Sequence, residues 1–219
     1  MSEVYVYFLN TEELSKEYLC ETYLPNASNH VKEKVARLKS DNAIRETLSA
    51  YLLLHKACEE LGLDGSDREI ATDGYGKPYF VNRPDKFFNI SHSCERVMCA
   101  IGDVPVGCDV QKITTKSERG IKIAKRFFTK EEFDKLMSSQ NESERNALFF
   151  EMWTLKESYI KCVGGGLSIP LDSFSVLEGR RPNGFSLHSF VHSDGYEYSC
   201  TAKKCASEIS FVSKWLKAE

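Results

Sequence analysis

Asp109 and Gln111 stand two residues apart in Gly107-Cys108-Asp109-Val110-Gln111, a run that reads as a strand, so both side chains project to one face. In Trp153-Thr154-Leu155-Lys156-Glu157-Ser158-Tyr159-Ile160-Lys161, helical spacing puts Glu157 and Lys161 one turn apart, with Lys156 beside them. Oxygens from Asp109, Gln111 and Glu157 make a donor set for Mg²⁺, an ion ordinarily held by one or two carboxylates plus substrate phosphates and waters. The chemistry indicated is phosphate chemistry. On spacing alone, a solvent-exposed helix ion pair between Glu157 and Lys161 stays open as the ordinary alternative.

Three further stretches could meet a phosphate. Asn89-Ile90-Ser91-His92-Ser93 ends a strand where amides, hydroxyls and an imidazole could converge, although a lone His there commonly serves as a structural hydrogen-bonding residue. Gly74-Tyr75-Gly76-Lys77-Pro78 is a turn presenting Lys77, or an ordinary hairpin loop. Lys32-Glu33-Lys34-Val35-Ala36-Arg37-Leu38-Lys39, followed by Arg45, is a basic helical run that is either a solvated face or a phosphate-holding one. Gly164-Gly165-Gly166 lacks the Lys-Ser/Thr of a P-loop, and neither G-x-G-x-x-G nor G-x-S-x-G occurs. His188 and His192 with Cys200 and Cys205 depart from zinc-ligand spacing and alternate as a strand pair would.

Elements that position these groups follow from periodicity. Residues 3–9 are apolar at alternate and intervening positions, as in a strand buried on both faces. A helix is expected from an N-cap at Asp41 to Gly62, then strands at 69–72, 79–81, 87–90, 97–101 and 106–111. Helices follow near 121–127, from the capping box Thr129-Lys130-Glu131-Glu132, and over 143–162; strands close the chain at 174–176, 185–187, 196–198 and 209–211. Strands and helices thus occur in the same coarse order in each half, which predicts an α+β fold of two lobes, residues 1–104 and 105–219, with a ligand between them.

Composition narrows the function classes. The chain has 219 residues with 29 Lys+Arg against 32 Asp+Glu, so no global field draws it to nucleic acid or an anionic membrane and any anion must be held locally. Its eight cysteines form no C-x-x-C pair, and the start of the sequence lacks the pattern of a secretory signal, which together suit reduced thiols and a cytoplasmic location.

Taken in order, Gly76-Lys77-Pro78, Phe88-Asn89-Ile90-Ser91-His92-Ser93, Val106-Gly107-Cys108-Asp109, Arg126-Phe127-Phe128-Thr129, the Trp153–Lys161 segment and Gly166-Leu167-Ser168-Ile169-Pro170-Leu171-Asp172-Ser173-Phe174 resemble the surfactin-synthetase-type 4'-phosphopantetheinyl transferases over most of the chain. The resemblance implies a monomeric pseudo-dimer of two similar α+β lobes with coenzyme A and Mg²⁺ in the cleft. It implies a holo-[acyl-carrier-protein] synthase activity on carrier proteins of nonribosomal peptide, polyketide or fatty acid synthesis. Asp109 and Glu157 would then be metal ligands. Gln111 takes the position where many members carry a third acid, which weakens attraction for Mg²⁺ and gives Mn²⁺ as an alternative. Lys156, Lys161, Ser91 and His92 would bind phosphate oxygens, Lys77 and Pro78 would flank the adenine, and Arg45 with Lys32 or Lys34 would hold the 3'-phosphate. Glu157 would be the base for the attacking serine, with Asp109 and Lys161 completing the catalytic set. Carrier docking would fall on residues 121–137, where Lys122, Lys125 and Arg126 suit an acidic partner. The rival class is a non-catalytic coenzyme A- or carrier-binding module whose metal site is impaired by Gln111.

Overall fold

The computed structural model describes residues 2–63, 65–114, 117–190, 192–204 and 208–217. Strand β1 (Ser2–Asn10) is followed by the single turn α1 (Lys16–Tyr18), then α2 (Asn29–Ala36) and the long α3 (Asp41–Glu60). The hairpin β2 (Ile70–Thr72) and β3 (Pro78–Phe80) leads into β4 (Phe87–Ser93) and β5 (Arg96–Gly102). The second half runs β6 (Val106–Lys112), α4 (Ser117–Phe127), α5 (Lys130–Met137), α6 (Glu142–Val163), β7 (Phe185–Phe190), β8 (Tyr196–Lys203) and β9 (Ile209–Leu216).

The first sheet has the order β4-β5-β1-β9 and the second β6-β8-β7. In each half a strand and a long helix precede an antiparallel pair whose later strand lies against the first, so β4-β5-β1 and β7-β8-β6 repeat one topology. The fold is α+β. The boundary expected between residues 104 and 105 falls between β5 and β6, but β9 pairs in parallel with β1 (Val4↔Phe211, Phe8↔Trp215), returning the C-terminal strand to the first sheet.

Strand parity explains the layers. Tyr7, Leu9, Val97, Cys99 and Ile101 pack with Leu48, Tyr51, Leu54 and Ala57 of α3. Val4, Val6, Phe8, Met98 and Ala100 point the other way, onto Val106, Cys108, Val110, Tyr198 and Cys200 of the second sheet. This double burial is why the middle of β1, Val4 to Leu9, is wholly aliphatic or aromatic, with Ser2, Glu3 and Asn10 confined to its ends. The opposite face of β6 and β8 lies against α6, and α4 and α5 cover α6 through Ala124, Phe128, Leu136, Phe149 and Met152.

Two local expectations change. The N-cap of α3 is Ser40 rather than Asp41; the Asp41 carboxylate instead accepts from Lys16 Nζ at 3.0 Å, within the first helical turn where an acid favours the dipole. Residues 174–176 form no strand, because side chains take their backbone groups: Phe174 O accepts from Lys156 Nζ, Val176 N–H donates to Glu132 Oε1 and Val176 O accepts from Arg181 Nε. The capping box at Thr129 and Glu132 forms as expected. The seven cysteines described are free thiols; Cys205 lies outside the described residues. His188 stacks on Phe211, and His192 packs against Phe8 and Tyr198. Among the described residues no helix is long and apolar enough to cross a membrane.

Candidate active site

The site begins where β6 crosses α6. A Cβ on Gly107 would stand 2.2 Å from both Ser158 O and Cys162 N, so only glycine lets strand and helix backbones touch here. Thr154 and Ser158 on α6 reinforce the contact through hydroxyl pairs of 2.8 Å with Ser199 and Thr201 on β8. The same close approach presents the next residue on that face, Asp109, to the last turns of α6.

Asp109 is 2% exposed and its Oδ1 accepts from Lys161 Nζ at 2.6 Å and from Ser91 Oγ at 2.9 Å. Lys161 Nζ also donates to Ser91 Oγ and to Cys108 O, each at 3.1 Å. Burial pulls the Lys161 ammonium down most strongly, but Asp109 together with Cys108 and Glu157 outweighs it and the net shift is upward, so Lys161 stays charged. The Gln111 amide donates to Asp109 Oδ2 at 3.3 Å. Glu157 is half-buried; burial and the nearby Asp109 charge push its carboxyl up, against an opposing pull from Lys161. The helix ion pair open on spacing alone is not formed: Lys161 turns to Asp109.

Strand β4 supplies the other wall. Asn89, Ser91 and Ser93 alternate along it, and their side-chain oxygens accept from the backbone N–H groups of Cys108, Val110 and Lys112 at 2.9, 3.3 and 3.1 Å. Side chains thus complete the open edge of β6 as a neighbouring strand would, fixing Ser91 beside Asp109. His92, of opposite parity, faces α3, where its Nδ1 lies 3.3 Å from Glu46 Oε2. Burial lowers the imidazole, as do Lys161 and Lys34, while Glu46 and Asp109 oppose them.

The remaining candidates separate. Arg45 donates to Thr11 O and Thr11 Oγ1 at 3.2 and 3.3 Å through one guanidinium nitrogen. Lys32 is exposed on α2, and no hydrogen bond or ion pair among the described residues ties it to the cluster. Lys77 donates to Val106 O, Lys161 O and Cys162 O, which leaves its aliphatic stem for the adenine contact the resemblance implies.

Lys156 requires correction as a phosphate ligand. Its side chain is 0% exposed, pairs with Glu132 at 2.8 Å and donates to Leu171 O and Phe174 O at 2.7 Å each. Neighbouring helix positions diverge by about 100°, so Glu157 and Lys156 leave α6 in different directions. Sequence reasoning missed Glu132 as that partner, Glu46 beside His92, and the Asn89/Ser93 seam. Only the last carried a readable signal, polar residues at a strict period of two.

Comparison with known proteins identifies the family. The model of the 4'-phosphopantetheinyl transferase superfamily matches residues 105–204, the span holding Asp109, Gln111, Glu157 and Lys161. The chain is 40% identical over 157 residues to 4'-phosphopantetheinyl transferase Sfp of Bacillus subtilis (strain 168), covering 71% of this chain and 68% of that protein. It is 41% identical over 154 residues to 4'-phosphopantetheinyl transferase gsp of Aneurinibacillus migulanus, covering 68% of this chain and 62% of that one. To the L-aminoadipate-semialdehyde dehydrogenase-phosphopantetheinyl transferase of Mus musculus it is 27% identical over 175 residues, 70% of this chain and 57% of the relative. The chain therefore spans 57–68% of the length of these relatives. An α+β fold with an acid–lysine cluster between two repeated halves, matched in this way, belongs to the Sfp-type 4'-phosphopantetheinyl transferases.

Proposed function

We propose that this chain transfers the 4'-phosphopantetheine arm of coenzyme A to a serine hydroxyl of an acyl or peptidyl carrier protein, converting apo to holo carrier and releasing 3',5'-ADP. One observation carries the reading: Ser91 from the first half and Asp109, Glu157 and Lys161 from the second converge on a single polar centre.

Among the described residues no group of three or more Asp, Glu, His or Cys side chains gathers as a metal site; the donors for a divalent cation in this reading are two carboxylates and one amide, a set that suits an ion completed by phosphates and waters. A carboxyl pushed up by burial and by a neighbouring acid, as Glu157 is, marks a place short of positive charge. Among the described residues, Asp109 Oδ2 takes just the 3.3 Å bond from the Gln111 amide. Asp109, Glu157 and the Gln111 oxygen would hold Mg²⁺, with Mn²⁺ as the alternative. Such an ion supplies charge neutralisation for the pyrophosphate and the departing ADP.

The chain's own groups do the rest. Lys161, kept charged beside Asp109, would take a phosphate oxygen in exchange for its longer bond to Ser91 Oγ or Cys108 O. His92, braced at Nδ1 by Glu46, would offer its other ring nitrogen to a phosphate oxygen. Arg45, through the guanidinium nitrogens that Thr11 leaves free, takes the 3'-phosphate together with Lys32. Pro78 and the Lys77 stem flank the adenine beside a cavity of about 730 Å³ that also meets Tyr75, Tyr79 and Val163. The raised Glu157 carboxylate takes the serine proton as Oγ bonds to the β-phosphorus and the bond to the α-phosphate oxygen breaks.

In this reading residues 1–104 hold the adenine and 3'-phosphate and residues 105–219 the metal and the catalytic helix. Lys122, Lys125 and Arg126, all exposed, receive the acidic carrier. The enzyme acts as a monomer, without nucleic acid or membrane, in the cytoplasm, a compartment that suits its free thiols.

Intact-mass spectrometry of an apo carrier incubated with the protein, coenzyme A and Mg²⁺ tests the proposal against an EDTA control. Gain of one phosphopantetheine arm in the metal-containing sample is expected, and Asp109→Ala should abolish it. Carriers of several types left unmodified with both Mg²⁺ and Mn²⁺ would overturn it in favour of a binding module.

A further inference from the structure

Lys77 belongs to the first half of the chain, yet its ammonium sits at the end of the catalytic helix in the second. Its three protons match three carbonyls: Lys161 O at 2.6 Å, Cys162 O at 3.2 Å and Val106 O at 3.3 Å. Lys161 and Cys162 lie in the last turn of α6, where carbonyls lack intrahelical donors and a cation is favoured by the helix dipole. Val106 immediately precedes Gly107, the point where β6 touches α6. The acceptors thus lie on both sides of the one crossing that sets Asp109 against Lys161.

The lysine is itself held firmly. Asp73 Oδ1 accepts from the N–H groups of Tyr75 and Lys77 at 2.9 Å each, and Gly76, at φ +83°, closes the turn. The stem passes beneath Gly164, where an added Cβ would stand 3.6 Å from Lys77 Cδ. Burial pulls the ammonium down, as expected for a cation that faces carbonyls rather than solvent.

We propose that Lys77 is a positioning residue for transfer: from the β2–β3 hairpin it bolts β6 to the end of α6 and so holds Lys161 and Asp109 in their working geometry, rather than binding a coenzyme A phosphate through its ammonium. The inference rests on the reading of Asp109 and Lys161 as the transfer centre. Its consequence is a division of labour within Gly76-Lys77-Pro78, in which the stem and Pro78 meet the ligand and the charged end meets the protein.

Lys77→Met keeps the stem and removes the charge. Expected are a kcat lower by about 10–100-fold, the scale of loss when reacting groups shift by about 1 Å, and a coenzyme A Kd by calorimetry within about 3-fold of wild type, since the ligand contacts remain. Lys77→Arg, which can still donate to the carbonyls, should recover part of the kcat. In the wild-type protein, quantitative acetylation should show Lys77 poorly reactive both without and with coenzyme A. The proposal is overturned if Lys77 is reactive alone and protected by coenzyme A, or if Lys77→Met raises Kd by the factor by which it lowers kcat/KM. If Lys77→Met does not fold, acetylation of the wild type decides between these outcomes. Failure of the transferase reading would show separately, as wild-type protein that modifies no carrier.

Discussion

Helices α3 and α6 occupy equivalent places in the two halves, each lying across a three-strand unit of the same order, yet their buried faces are built from different materials. Against its sheet α3 sets Leu48, Tyr51, Leu54 and Ala57, an ordinary apolar contact. Against its own sheet α6 sets Thr154, Ser158 and Lys161, each paired with a hydroxyl, carbonyl or carboxylate. An apolar interface keeps helix and strand a side chain apart; small hydroxyls and Gly107 bring the backbones together. That closeness places an acid and a lysine at the seam, and it stands because each buried polar group there has a partner.

The comparison breaks most visibly at Gly107. Gly107→Ala sets a methyl 2.2 Å from two backbone atoms, so a loss of more than about 3 kcal/mol in chemical denaturation, with loss of carrier modification, is expected. Gly120→Ala is the control: its Cβ meets the Phe149 ring at an ordinary 3.4 Å within α4, and a gain of about 0.5–1 kcal/mol is expected. Wild-type stability in Gly107→Ala would erase the distinction between the two helices.

Lys156→Met sharpens the contrast within α6. It leaves Glu132 buried without its cation and should cost about 3–5 kcal/mol, part of it recovered in Lys156→Met/Glu132→Leu, which removes the stranded charge but also the acceptor of the Thr129 and Val176 N–H groups. The folded double variant should bind coenzyme A within about 3-fold of wild type by calorimetry; a larger loss would return Lys156 to the phosphate site.

The third prediction concerns the open end of the α6 interface. Glu197 pairs in register with Gln111, and burial together with Glu151 pushes its carboxyl up to about 7. Between the usual glutamate value and about 7, the folded protein therefore binds more protons than the unfolded chain. Glu197 thus costs stability as pH rises through this window, with the cost complete above it. Glu197→Gln should raise Tm at pH 8 by a few degrees, from a gain on the order of 1–2 kcal/mol. Scanning calorimetry should show the gain vanishing toward pH 4; a gain independent of pH would contradict it.

The smallest effect lies at the hairpin tips. Cys94 holds φ +52° at the β4–β5 tip, whereas the longer β7–β8 connection places a glycine, Gly195, at its positive φ of +80°. Cys94→Gly should stabilise by up to about 1 kcal/mol, as relief of left-handed strain exceeds glycine's entropy cost. A loss measured by denaturation would show that the tip is not strained.

The sequence exposed what is local and hid what is not. Short apolar runs announced β1 and β5, a strand-like run announced β6, and Thr129 with Glu132 announced the start of α5, because each signal sits within a few residues. Gly107-x-Asp109 and Glu157-x-x-x-Lys161 were legible as chemistry, although the alliance of Lys161 with Asp109 rather than Glu157 needed the crossing of two elements. Lys156 was misjudged because α6 is covered on both sides, by the second sheet and by α4 and α5, so periodicity could not say which side a charge faces. The 174–176 stretch carried a strand's alternation, but its backbone partners proved to be the side chains of Lys156, Glu132 and Arg181.

The parallel pairing of β1 with β9 also sets an order of assembly. At ribosomal rates of about 5–20 residues per second, roughly 10–40 s separate the emergence of the two strands. From the emergence of β5, about halfway through that interval, β1 can pair with it while its other edge stays unfilled. The first half can collapse around α3 early, but its sheet is completed only as translation of the described chain reaches β9. A ribosome stalled before Ile209 would therefore display an apolar strand edge of the kind that recruits chaperones and seeds aggregation.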